Sequence, residues 1–169
     1  ATAIGVAVEE SLLTLGLLRA RRDYGLLLSE HAPETPRLPP ATRLLVTGAQ
    51  AASLMGEFDA ADEALLAAEA RAASTSRDQK VRARRARAAN LFRGARVTEC
   101  GELLVGMPEA AAQLQDDYLF VDVCYLLANY HYECRRYDES LEACNDIDRT
   151  VERTQHYQRA LAYSGEQRA

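Results

Sequence analysis

Two segments of this 169-residue chain read alike. MGEFDAADEALLAAE, Met55–Glu69, and CRRYDESLEACNDI, Cys134–Ile147, each pass from a charged turn through an aromatic residue and an aspartate into an apolar-periodic stretch. A recurring phrase of this kind restricts the chain to folds assembled from one repeated unit. Leu and Ala recur at i, i+3, i+4 and i+7, and strict alternation of β-branched residues is missing, so the period is near 3.6 and the chain is predicted to be all-α. Long breaks, HAPETPRLPPA (His31–Ala41), STSRD (Ser74–Asp78) and VGMPEA (Val105–Ala110), alternate with the short turns LMGEF, FRGAR and CRRY. The pattern is one of helix pairs.

Placing the residue after each short turn in register aligns Tyr24, Phe58, Ala95 and Tyr137, behind the turns ARRD, MGE, FRG and CRR. The intervals are 34, 37 and 42 residues. Segment 42–73 resembles a tetratricopeptide (TPR) repeat: Gly56 stands in the turn, Phe58 follows it, and Ala61 and Ala68 stand where only small side chains fit between helices. Segment 121–153 resembles it as well, through Ala128, Tyr137 and Ser140. The first unit has Leu27 at a small-residue position. The third carries Ala95 in place of the aromatic, Thr98 in place of Ala, and Gly101 within its second helix. The resemblance implies one domain over residues 1–169, with units near 8–41, 42–78, 79–120 and 121–157 and the start of a further helix. Stacked, these pairs would form a right-handed α-α superhelix whose concave face is lined by the first helix of each pair.

Composition narrows the function classes. A net charge of -5 gives the chain as a whole no nucleic-acid signature, and no apolar run approaches the roughly 20 residues that cross a bilayer. With Glu9 and Glu10 breaking the first apolar run as a secretory segment, a cytoplasmic protein is expected. There is no initiating Met, and the chain ends on RALAYSGEQRA as though another helix were starting, which is expected of a piece of a longer array. Nineteen of its twenty basic residues are Arg, and with abundant Ala this points to a GC-rich, bacterial genome. The four cysteines, Cys100, Cys124, Cys134 and Cys144, are expected to be reduced core residues, since a chain with this much apolar content needs no disulfide staples.

Two surfaces carry candidate chemistry. Arg77–Arg96 holds eight basic residues and one acid, leaving the rest of the chain at about -12. Within it Lys80, Arg84 and Arg87 fall at i, i+4 and i+7 on one helical face. Such an array could take a carboxylate or phosphate through bidentate hydrogen bonds, or it could balance the acids Glu57, Asp59, Asp62, Glu63 and Glu69 of the preceding helix. Lys80 and Arg84 resemble one part of the carboxylate clamp of some TPR domains, but Leu12, Gly16 and Thr47 stand where its other polar residues would be needed, so no such clamp is expected. In the fourth unit Tyr125, Asn129 and Tyr132 share a face, flanked by Asp122 and Glu133. They would offer stiff amphipathic area and an amide for a peptide backbone, or else pack against a following unit.

Catalysis is not expected: no Ser-His-Asp set, phosphate loop or metal motif is present, His131 and Cys134 at i, i+3 fall short of a zinc site, and no cofactor is called for. The expected function is recognition of a protein, a peptide (an acidic one if the Arg array takes part) or a small effector on the concave face. Such arrays look like the repeat regions of large bacterial transcription regulators and signalling ATPases. Self-association as a homo-oligomer and nucleic-acid binding through the Arg-rich helix are the alternatives. No membrane partner is expected.

Overall fold

A computed structural model describes residues 17–31, 41–73 and 76–154. Among these it forms eight helices and no strand: α1 Leu18–His31, α2 Ala41–Leu54, α3 Phe58–Ala73, α4 Arg77–Arg93, α5 Val97–Leu104, α6 Met107–Ala112, α7 Asp117–Glu133 and α8 Tyr137–Arg153. The first helix of the first expected pair, the break before Ala41 and the helix expected beyond Tyr157 lie outside the described residues. The all-α expectation is met.

Helix ends follow from local chemistry. Ser76 caps α4, its side chain accepting from the Gln79 N–H at 3.5 Å, and Asp116 caps α7 by accepting from the Leu119 N–H at 3.0 Å. Three first helices end on one device. After α2 the Gly56 N–H donates to the Ser53 carbonyl and Glu57 N–H to Ala52; after α4 Ala95 N–H donates to Phe92 and Arg96 N–H to Leu91; after α7 Arg135 N–H donates to Tyr132 and Arg136 N–H to His131. Each is a Schellman turn, with a left-handed residue satisfying two end carbonyls. Gly56 adopts that conformation readily at φ 83°, whereas Ala95 and Arg135 adopt it at 59° and 58° with a Cβ that opposes it.

These turns correct the register read from the sequence. Second helices begin at Leu18, Phe58, Val97 and Tyr137, so the repeat runs at 40, 39 and 40 residues. Ala95 is the left-handed turn residue and Val97 the one equivalent to Phe58 and Tyr137. Tyr24 lies inside α1, and ARRD is helical in place of the expected turn. The 34-residue interval from Tyr24 to Phe58 therefore joins a helix interior to a helix start. In the corrected register, Cys100 and not the exposed Thr98 stands level with Ala61 and Ser140, and all three are buried.

The chain divides into two compact units, Ala1–Arg96 and Val97–Ala169. In the first, α1 packs on α2, α2 on α3 and α3 on α4, while α4 also reaches α2. Small residues let these helices close: Ala49, Ala61, Ala68 and Ala88 are fully buried. The tightest approach is between α1 and α2, where a Cβ on Gly25 would come within 2.8 Å of the Leu44 carbonyl oxygen and 2.9 Å of the Gly48 α-carbon. Leu45, Val46 and Leu65 fill the core beside Ala83 and Ala86.

In the second unit α7 packs on α8, and α5 and α6 lie against α7. Ala128 meets Ala143 and Cys144 across this pair, and the Ser140 hydroxyl donates to the Ala128 carbonyl at 2.9 Å. The VGMPEA break divides what would be a single second helix: Gly106 turns the chain at φ 70°, and Pro108 restarts it as α6.

Candidate partner-binding surface

The Arg-rich α4 buries Val81, Ala83, Ala86, Ala88, Ala89, Asn90 and Leu91. Its charged residues then divide according to what the neighbouring helix offers. Arg87 Nε donates to Asp62 at 2.7 Å and its Nη1 to Glu69 at 3.5 Å, while Arg96 Nη1 donates to the other Asp62 oxygen at 2.8 Å. These are half-buried groups, with Asp62 15% and Arg87 19% exposed. Burial pushes the Asp62 carboxyl up, but the hydrogen bonds from Arg87 and Arg96 outweigh it and hold the group below the usual carboxylate range. Arg87 is correspondingly raised, burial opposing and Asp62 and Glu69 prevailing.

Internal charge balance, one of the two readings of the array, thus accounts for Arg87. Two of the five acids named from the sequence perform it. Glu57 instead takes Arg22 of α1 in two hydrogen bonds of 2.5 and 2.7 Å. Lys80 is exposed and Arg84 half-buried. Thr47, at the empty clamp position, turns its hydroxyl back to the Arg43 and Leu44 carbonyls.

On α7 a different surface emerges. Leu119, Val121, Val123, Cys124, Leu126 and Ala128 are buried. Tyr118, Asp122, Tyr125, Asn129 and Tyr132 follow at intervals of four and three, and so lie on one stripe of the helix. Tyr118 and Tyr132 are 57% and 54% exposed; Tyr125 is half-buried and packs against the cluster of Val121, Cys124, Ile147 and Val151. Asn129 Nδ2 donates to the Tyr125 carbonyl at 2.8 Å, which fixes its amide along the helix.

Tyr132 meets Tyr137 of α8 edge to face, with ring centroids 5.6 Å apart. The resemblance places Tyr137 and Phe58 alike, as the aromatic after the turn. Phe58 packs against the turn that follows α4, its ring covering Gly94, where a Cβ would lie 3.3 Å away, and its carbonyl accepting from Asn90 Nδ2 at 2.9 Å. Tyr137 instead remains 54% exposed and extends the tyrosine surface. Tyr118 and Tyr137 were missed by sequence reasoning, although the seven-residue spacing of Tyr118, Tyr125 and Tyr132 was a readable signal.

The 40-residue register shows that the two sets of sequence-predicted residues occupy different faces. Tyr118, Asp122, Tyr125, Asn129 and Tyr132 of α7 correspond on α4 to Asp78, Arg82, Arg85, Ala89 and Phe92. Lys80, Arg84 and Arg87 correspond to Phe120, Cys124 and Leu127, which are inward or flanking positions.

The second unit also has two shallow depressions. One, of about 430 Å³, is lined by Asp116, Asp117, Asp146, Arg149 and Arg153, whose charges are largely spent on one another: Arg149 binds Asp146 at 2.7 Å and Arg153 binds Asp117. The other, of about 290 Å³, lies among Gly101, Leu127, Tyr130, His131 and Arg136. There the Arg136 guanidinium sits 5.0 Å over the Tyr130 ring, and the Tyr130 hydroxyl fills the space a Cβ on Gly101 would need. Burial and Arg136 depress the His131 imidazole, with Glu139 and Glu142 opposing.

All four cysteines are free; Cys100, Cys124 and Cys144 are buried and Cys134 half-buried. Burial pushes Cys100 up to about 11 and Cys124 up to about 12, so both are protonated, inert core groups near neutral pH. Among the described residues no group of three or more His, Cys, Asp or Glu is placed to hold a metal ion, and no helix is long and apolar enough to cross a membrane. Comparison with known proteins found no matching family model, no matching curated protein and no matching solved structure.

Proposed function

We propose that this chain is a recognition module, without catalysis of its own, that presents the tyrosine stripe of α7 to a peptide or protein partner. The single observation behind this reading is the stripe itself, with two of its three tyrosines more than half exposed while the opposite side of the helix is core. Tyr supplies large, stiff contact area at low entropic cost, and contiguous exposed aromatic surface marks interaction sites. The wider reading is a right-handed superhelix of TPR-like helix pairs in a cytoplasmic bacterial regulator or signalling protein. The recurring Schellman turn and the 39–40-residue period support the helix-pair part of it.

The Arg-rich helix is the weaker partner surface. Arg87 of the helix and Arg96 of the turn after it neutralise Asp62 and Glu69, which leaves less net charge for an acidic partner or a nucleic acid. A partner obtained by affinity capture should lose about tenfold in affinity with Tyr132→Ala, helicity unchanged, since an exposed aromatic anchor is worth roughly 1–2 kcal/mol. Arg84→Ala should leave affinity within twofold. Unchanged binding with Tyr132→Ala would remove the assignment.

A further inference from the structure

We infer that the α7 stripe takes a cationic segment, an extended stretch bearing Arg or Lys at about every third position. This rests on the recognition reading above and names the chemistry of its partner. Tyr118, Tyr125 and Tyr132 have no Lys or Arg between them in α7: along the stripe they alternate with Asp122 and Asn129, and Glu133 follows Tyr132 at the exposed end; beyond it Arg135 and Arg136 stand in the turn that leads to Tyr137 and Asp138 of α8. Glu133 and Asp138 are both exposed. The surface therefore combines the negative faces of aromatic rings with carboxylates, the two groups that together hold a guanidinium or ammonium ion.

The same molecule already uses half of this chemistry, since Arg136 lies over the Tyr130 ring on another side of the same helix. Further along α8, Arg149 and Arg153 are occupied by Asp146 and Asp117.

Spacing sets the register of the occupant. Tyr118, Tyr125 and Tyr132 recur every seven residues, which at 1.5 Å per residue places them about 10 Å apart along the helix. An extended chain in the polyproline II conformation advances about 3.1 Å per residue and turns once in three, so every third side chain faces the same way and comes nearly level with the next tyrosine. The equivalent face of α4 carries Asp78 paired with Arg82, then Arg85, Ala89 and Phe92, so it lacks the alternation of tyrosine and carboxylate, which confines this preference to the second unit.

Three labelled ten-residue peptides in a Gly/Ser background, with Arg, Gln or Glu at every third position, provide the test by fluorescence anisotropy. The Arg peptide should bind at least about tenfold more tightly than the Gln peptide, the Glu peptide should not bind, and affinity should fall as salt rises from about 50 to about 300 mM. Tyr132→Ala should weaken the Arg peptide by about tenfold while Tyr132→Phe retains it, and Glu133→Gln with Asp138→Asn should weaken it by a few-fold. Lys80→Ala should change nothing.

Equal, Tyr132-dependent binding of all three peptides would overturn the cationic assignment and leave the recognition surface standing. Absence of any binding, with tyrosine ring signals unmoved, would overturn both. A concentration-dependent mass abolished by Tyr132→Ala would show that a second copy occupies the stripe, and would equally overturn the inference.

Discussion

Helices α4 and α7 occupy the same place in successive 40-residue repeats, have the same length of 17 residues and end in the same turn, yet they deal with their polar groups in opposite ways. In α4 and the turn after it, the most charged stretch of the sequence gives Arg87 and Arg96 to acids of α3. In α7, whose face carries far less charge, tyrosines and carboxylates stay at the surface. The contrast teaches that local charge density is a poor guide to a partner surface when a complementary helix lies next door, because desolvated ion pairs consume the charge that attracted notice.

The largest expected effect bears on the closed state of α4. Asp62→Ala removes the carboxylate that Arg87 and Arg96 share, leaves Arg87 the longer Glu69 contact, and should destabilise the first unit by about 3 kcal/mol in chemical denaturation, towards the low end for a buried pair that loses a partner. The same carboxylate gives a pH signature. Its depressed folded pKa contributes stability that is present above its ordinary value near 3.8 and is lost as pH falls through the folded value. A loss below about 0.5 kcal/mol, as for an ordinary surface substitution, would mean that α4 is as open as α7.

The second unit should respond to a steric probe. Gly101→Ala drives a Cβ into the Tyr130 hydroxyl and ring, displacing Tyr130 and its Arg136 partner at a cost of about 2 kcal/mol. Thermal unfolding would read the loss.

The turn that both helices share comes next in size. Ala95→Gly and Arg135→Gly remove a Cβ from a left-handed position and should each stabilise by up to about 1 kcal/mol, while the same substitution at Cys134, which is not left-handed, should not. Smallest is a pH effect confined to α7. His131 has a folded pKa depressed below its ordinary value near 6.5, so its contribution is present above that value and is lost as pH falls through it; His131→Gln should flatten the stability profile between about pH 7.5 and 5.5.

Much of the architecture was legible because helical periodicity and small residues at crossings are local signals. Ala61, Ala68, Ala128 and Ser140 are buried, as the resemblance to a helix-pair repeat implied. The register of the third turn was not legible. FRGAR presents a glycine that looks like the counterpart of Gly56, but Gly94 is needed for the Phe58 ring and the left-handed residue is Ala95, a role sequence rules assign to Gly. Tyr24 misled in the same way, as an aromatic after charged residues that is in fact mid-helix. For the surfaces, the common stripe of Tyr125, Asn129 and Tyr132 on one helix was legible from spacing alone. Which side of α4 faces α3 could not be, because arginines occupy both sides and only the acids of the neighbouring helix decide between them.

The most direct test follows both helices in one NMR titration with the Arg peptide, observing tyrosine rings and arginine Nε–H groups together. Shifts are expected at Tyr118, Tyr125, Tyr132 and Tyr137 while the Arg87 Nε–H, bonded to Asp62, stays in place and protected from exchange. Movement of Arg87 and Arg96 with silent tyrosines would contradict the assignment of the partner surface to α7.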